Sequence, residues 1–165
     1  MKLFAWIDQH LWSVPLLVFL LGELVLSIWS ARSHSPVLLA AAPISARQAV
    51  YTSLTGSFSA ILGIALATVA ILVAFGPRPG PTGTPTKVEL DLARARTIVT
   101  GSLLMASFFM LAIVITATVA EAVDLKPVGN SAITTLIEAS GAAGVVGLLV
   151  GGFGLALVIV ERSKG

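Results

Sequence analysis

Residues 139–160 read ASGAAGVVGLLVGGFGLALVIV. No charged side chain interrupts this stretch. As a helix it is about 33 Å long at 1.5 Å per residue, which matches the ~30 Å hydrocarbon core of a bilayer. A buried helix of a soluble protein would be shorter and would carry a polar face. Three further runs have the same character: Leu11 to Trp29, Leu54 to Phe75 and Ile98 to Ala120. Together they predict an all-α integral membrane protein, a four-transmembrane-helix bundle made of two helical hairpins. The first hairpin occupies residues 1–75, a linker 76–86, and the second hairpin 87–165.

Composition agrees. Of 165 residues, 56% are hydrophobic and only 11% charged, too few charges to coat a water-facing surface. That argues against a soluble enzyme, a disordered chain and a nucleic-acid binder. With no cysteine there is no disulfide framework, thiolate metal site or cysteine nucleophile. The two histidines, His10 and His34, lack metal-ligand spacing. No catalytic signature appears, so the expectation is a non-enzymatic protein without metal or cofactor, whose first partner is the lipid bilayer. Glu23 interrupts the first run, and Trp29 stands where a cleaved leader would need small residues; the first run therefore reads as a retained span.

The linker, GPRPGPTGTPT over 76–86, holds four prolines and three glycines and cannot continue a helix. With four spans, both termini share its side of the membrane. That side carries Lys2, Arg78, Lys87, Arg94, Arg96, Arg162 and Lys164, against Arg32, Arg47 and Lys126 on the other. Cationic loops stay inside, so the termini and linker are expected in the cytoplasm of a cell whose inner (plasma) membrane holds the bundle. Alanine richness and a preference for Arg over Lys point to a bacterial source. Ser45-Ala-Arg-Gln48, Thr86-Lys-Val-Glu89 and Thr135-Leu-Ile-Glu138 have the form of capping boxes, and the first two start the second and third helices near 46 and 87. The first loop is unusual: Val-Leu-Leu-Ala-Ala-Ala between Pro36 and Pro43 is too apolar for a free loop and too short to span, so it lies at the interface or folds back over the helices. Trp6, Trp12 and Trp29 bracket the first span as an aromatic belt does.

Two helices carry small residues in alternating steps of four and three. The second has Gly56, Ala60, Gly63, Ala67, Ala70 and Ala74; the fourth has Ser140, Gly144, Gly147, Gly151 and Gly154. Lipid gives helices no hydrophobic reason to pair, so close backbone approach along such a seam supplies the attraction. Each seam serves either the packing of the bundle itself or a homo-oligomer or partner subunit. Gly141 and Gly152 lie off the seam of the fourth helix, as if a second face also made close contacts.

The other feature is Glu23, near the middle of the first span. A charged carboxylate there costs about 2.5–3.5 kcal/mol, so it is expected to face protein or water. Ser27 and Ser30 follow one and two turns on, and with Glu138 they make a candidate intramembrane polar site. Glu121 and Asp124 are placed near water at the end of the third helix, and Glu138 is a possible partner for Arg47. A carboxylate in the first of four spans, here within Leu20-Leu-Gly-Glu-Leu-Val-Leu26, resembles the small multidrug-resistance transporters, and the resemblance implies a coupling role for Glu23. It covers that segment alone; the chain is longer and has a proline-rich central loop that the family lacks. The leading functional expectation is an oligomer or membrane subunit of a larger assembly. The alternatives are a proton- or cation-coupled transporter or channel using Glu23 and, third, a membrane effector of a defence or toxin system.

Overall fold

The computed structural model describes residues 13–33, 36, 38–74 and 87–162. The linker, Trp6, Trp12, His10, His34 and Thr86 lie outside them. The described residues form helices and no strand: α1 (Val14–Ser33), the short α2 (Leu38–Ala41), α3 (Ile44–Ala74), α4 (Lys87–Val123) and α5 (Ser131–Arg162). Four of these are long and apolar enough to cross a membrane. At 31, 37 and 32 residues, α3, α4 and α5 are about 46–55 Å long, longer than the ~30 Å that a bilayer's hydrocarbon requires.

The expected N-terminal hairpin is not a packing unit. α4 and α5 form the central antiparallel pair; α3 packs on α4, and α1 packs on α5 with a smaller contact to α4. The chain thus crosses over the end of the bundle between α1 and α3, and α2 lies on that crossing. The reason is shape. The α5 seam is filled from two sides: a Cβ built on Gly147 would come within 2.8 Å of the Ala106 Cβ on α4 and 3.1 Å of Pro15 on α1. Further along, a Cβ built on Gly151 would lie 2.8 Å from Leu103 and one on Gly154 2.7 Å from Val99, while one on Gly144 would meet Met110 at an ordinary 3.6 Å. At Gly147 the atoms met include the Ala106 backbone, so glycine there admits α4 at this spacing. Near Pro15, Phe19 of α1 packs on Phe109 of α4 with ring centroids 5.1 Å apart. Gly141 and Gly152 meet nothing within 4 Å, so the second close face expected on this helix is not used among the described residues.

α3 behaves differently. Its buried side, Arg47, Tyr51, Ala65 and Val69, faces α4. At 100° per residue the seam lies on roughly the opposite side. Gly56, Ala60, Gly63, Ala67 and Ala70 are all exposed, and a Cβ on Gly56 or Gly63 would meet nothing within 4 Å. A larger residue at Gly63 would therefore push aside no helix among the described residues.

Helix ends are closed by side chains. Arg96 donates to the Leu72 carbonyl, one of the last carbonyls of α3 that have no partner within the helix. Asn130 caps α5, its Oδ1 accepting the Ala132 N–H at 3.0 Å. The Ser45 box does not form. α3 starts two residues earlier than expected, with the Pro43 carbonyl accepting the Arg47 N–H at 3.0 Å, and Gln48 reaches instead to the Asp124 carbonyl at 3.4 Å. The third box fails as well: Thr135 lies inside α5.

Candidate functional site

The polar residues converge at the end of the bundle away from the linker. Arg47, in the first turn of α3, is fully buried. Its Nε donates to Asp124 Oδ2 at 3.1 Å, and its Nη1 to the Ala42 and Pro127 carbonyls at 2.6 and 3.1 Å. Its Nη2 donates to the Lys126 carbonyl. One guanidinium thereby ties the crossing segment, the α4–α5 loop and the C-terminus of α4 into one cap. Asp124 completes the arrangement. Tyr51 donates its hydroxyl to Oδ2 at 2.7 Å, and the Asn130 N–H reaches Oδ1 at 3.3 Å. Both carboxylate oxygens are engaged, which a buried charge requires. Gly129 closes the cap: its N–H donates to the Ala40 carbonyl at 3.0 Å, and a Cβ there would sit 3.0 Å from both the Ala40 Cα and the Arg47 Nε. Beneath the cap, Tyr51, Ala117, Ala120 and Ile137 form an apolar cluster on which Leu39 packs.

One sequence-based pairing and one placement change. Arg47 is partnered by Asp124, not Glu138, because α3 lies on α4. Asp124, placed near water from sequence, is buried. Glu138 accepts the Leu39 N–H at 3.0 Å and so fastens α2 onto α5. The apolar first loop folds back over the helices, one of the two placements expected of it; Ala40 is fully buried and Leu39 half-buried. Glu121 stays exposed and accepts the Thr52 hydroxyl at 2.9 Å.

Glu23 is central in α1 yet lies near one end of the bundle. Gly22 rests against Ala139, where a Cβ built on it would lie 3.4 Å from the Ala139 Cβ, and the polar group facing Glu23 is the Thr135 hydroxyl. Thr135 is four residues into α5, about 6 Å from its N-terminus. Glu23 is half-buried, with Oε1 enclosed and without a hydrogen-bond partner. Ser27 is exposed and Ser30 half-exposed. Of the other residues of the candidate polar site, Glu138 accepts from α2, while Ser27 and Ser30 lie further out along α1. No cluster of three or more metal-ligating side chains occurs among the described residues.

The chain matches no family model, no curated protein and no solved structure. What the site can do therefore rests on its chemistry. The cap has the Arg47 guanidinium and the Tyr51 hydroxyl both donating to the Asp124 carboxylate. Its polar groups are spent on each other and on backbone carbonyls. It is suited to holding three segments in fixed relation where water is scarce.

Proposed function

We propose that this is a non-enzymatic, multi-pass inner-membrane protein of a bacterium that works as an oligomer or as the membrane subunit of a larger assembly, joined through the small-residue face of α3. The observation that carries the reading is the direction of that face. The same four-three spacing of small residues is filled on α5, where it seats α4, and is turned outward on α3. Other outward surfaces are built from bulky groups, such as Leu104, Phe108, Leu111 and Ile115 on α4 and Leu17, Leu20, Leu21 and Leu24 on α1. Those suit lipid chains. A face of Gly and Ala instead lets another backbone come close. The test uses the absence of native cysteine. Ala60→Cys and Ala67→Cys are expected to cross-link between chains in native membranes, and Leu111→Cys is not. Gly63→Leu should leave the single chain folded and abolish the cross-link. Equal cross-linking at Ala60 and Leu111, or none anywhere, overturns the reading.

Orientation follows the distribution of Lys and Arg, with termini and linker cytoplasmic. Thr84→Cys should be protected from an impermeant thiol reagent in intact cells and Ser33→Cys should react; the reverse pattern inverts the topology.

One observation favours a second reading, proton or cation coupling through Glu23: its enclosed, unpartnered Oε1. A Gln side chain keeps the shape and cannot exchange a proton. Wild type and Glu23→Gln are compared in liposomes under an imposed pH gradient. The expected result is no protein-dependent flux in either. Flux in the wild type that disappears in Glu23→Gln would replace the assembly reading with transport.

A further inference from the structure

The capped end of the bundle carries apolar side chains where a hydrated loop would carry polar ones. Leu38 on α2 is 87% exposed, and Leu125 and Val128 on the α4–α5 loop are 65% and 58% exposed. Trp29 belongs to the same layer. α1 and α5 run antiparallel with Gly22 against Ala139 and Pro15 against Gly147, so each step forward on α1 matches a step back on α5. That register sets Trp29 about level with Ala132, in the first turn of α5, and Arg32 about level with Gly129. Trp29 is 63% exposed. Two cations share the layer, Arg32 and Lys126, both exposed and in no ion pair among the described residues.

We propose that this end does not stand in water but is sunk into the lipid headgroup layer. Leu38, Leu125, Val128 and Trp29 enter the boundary between headgroups and acyl chains, and Arg32 and Lys126 hold lipid phosphates. Three physical features support the inference, which rests on the bundle spanning a bilayer. Irregular backbone is tolerated at membrane depth only when its polar groups are satisfied by protein. Here the carbonyls of Ala42, Lys126 and Pro127 accept from Arg47, and the carbonyl of Ala40 accepts from Gly129, so these four carbonyls are supplied without water. A Trp in one layer with exposed cations is the side-chain set of a membrane interface. The charge of the rim is complementary to phosphodiesters, which a guanidinium engages with two parallel hydrogen bonds.

The experiment places spin labels on single-cysteine variants of the full chain in nanodiscs of phosphatidylcholine with phosphatidylglycerol. The positions are Leu38, Val128 and, as a mid-span control, Leu111 on α4, each read for collision with oxygen and with a water-soluble nickel chelate. Labels at Leu38 and Val128 are expected to collide more with oxygen than with the chelate, though less so than the label at Leu111. Chelate collisions dominating at Leu38 and Val128 alone overturn the proposal, because the cap is then hydrated. Shielding from both relaxers also overturns it, because a protein then covers the cap. Chelate collisions dominating at Leu111 as well mean that the bilayer-spanning reading beneath the proposal has failed. In a second arm, native mass spectrometry follows the lipids retained from the same nanodiscs. Arg32→Gln and Lys126→Gln are each expected to lower the preference for phosphatidylglycerol over phosphatidylcholine by about fivefold. An unchanged preference in both variants removes the phosphate contacts.

Discussion

Arg47→Ala is expected to destabilise the folded bundle by about 3–5 kcal/mol, the usual cost of removing one partner of a buried ion pair. The loss has three parts. The Asp124 carboxyl is left in a buried site with only Tyr51 and the Asn130 N–H as partners. The carbonyls of Ala42, Lys126 and Pro127 lose their donor, and unsatisfied buried acceptors cost about 1–3 kcal/mol each when water cannot reach them. The large side chain also leaves a void beside Gly129. Arg47→Lys should recover only part of the loss, because an ammonium cannot reproduce the planar fork that serves one carboxylate and three carbonyls. The measurement is reversible unfolding in bicelles, run as a double-mutant cycle with Asp124→Ala. The two single losses should exceed the loss in the double variant by about 1–3 kcal/mol, since the pair is in direct contact. Simple additivity would show that the 3.1 Å Arg47–Asp124 contact does not hold the cap.

Gly147→Leu is the second large effect. The site has no room even for a methyl group, with the Ala106 Cβ at 2.8 Å, Pro15 Cγ at 3.1 Å and the Ala106 Cα at 3.2 Å. One of these atoms is backbone and none is the end of a flexible chain, so relief requires α4 and α1 both to move away from α5. Overpacking of this kind costs about 1–3 kcal/mol, and a leucine at a three-helix contact belongs at the upper end. Gly141→Leu and Gly152→Leu are controls on the same helix, because nothing lies within 4 Å of either position. Both should stay within about 0.5 kcal/mol of wild type, as surface substitutions do. Equal losses at Gly147 and Gly152 would mean that the interhelical contact at Gly147 does not set the effect.

The parts of the site that could be read from sequence are the local ones. Glu23 stands out because a carboxyl in an apolar run is costly wherever the helix packs. The fold-back of the first loop was one of two readings, since six apolar residues between prolines avoid water. Asp124 could not be read this way. Its role depends on Arg47, 77 residues away, and a lone acid after a span looks like any solvated helix end. A faint signal existed in the facing ends of two successive antiparallel helices, with Arg47 at the start of one and Asp124 at the end of the other. Assigning Arg47 to Glu138 failed because it assumed a neighbour that α3 does not have. The depth of Glu23 was misleading for a similar reason. It is central in α1, but α1 is shorter than its neighbours and set toward the capped end, so its midpoint lies level with the first turns of α5.

Run length and composition by themselves determined four helices long enough to cross a bilayer and two small-residue seams. Each follows from a local cost: apolar length against hydrocarbon thickness, Cβ volume against backbone approach. Only the tertiary structure decided which helices are neighbours, that the seam of α5 is filled while that of α3 is turned outward, and that the buried Arg47 belongs to Asp124. In water an apolar stripe names the inner face of a helix. Here every long helix is apolar on all sides, so burial does not select a partner. The choice falls to the fit of particular side chains, Leu103 and Val99 into the hollows at Gly151 and Gly154 and Pro15 against Gly147, and that fit exists only once the backbones are in place.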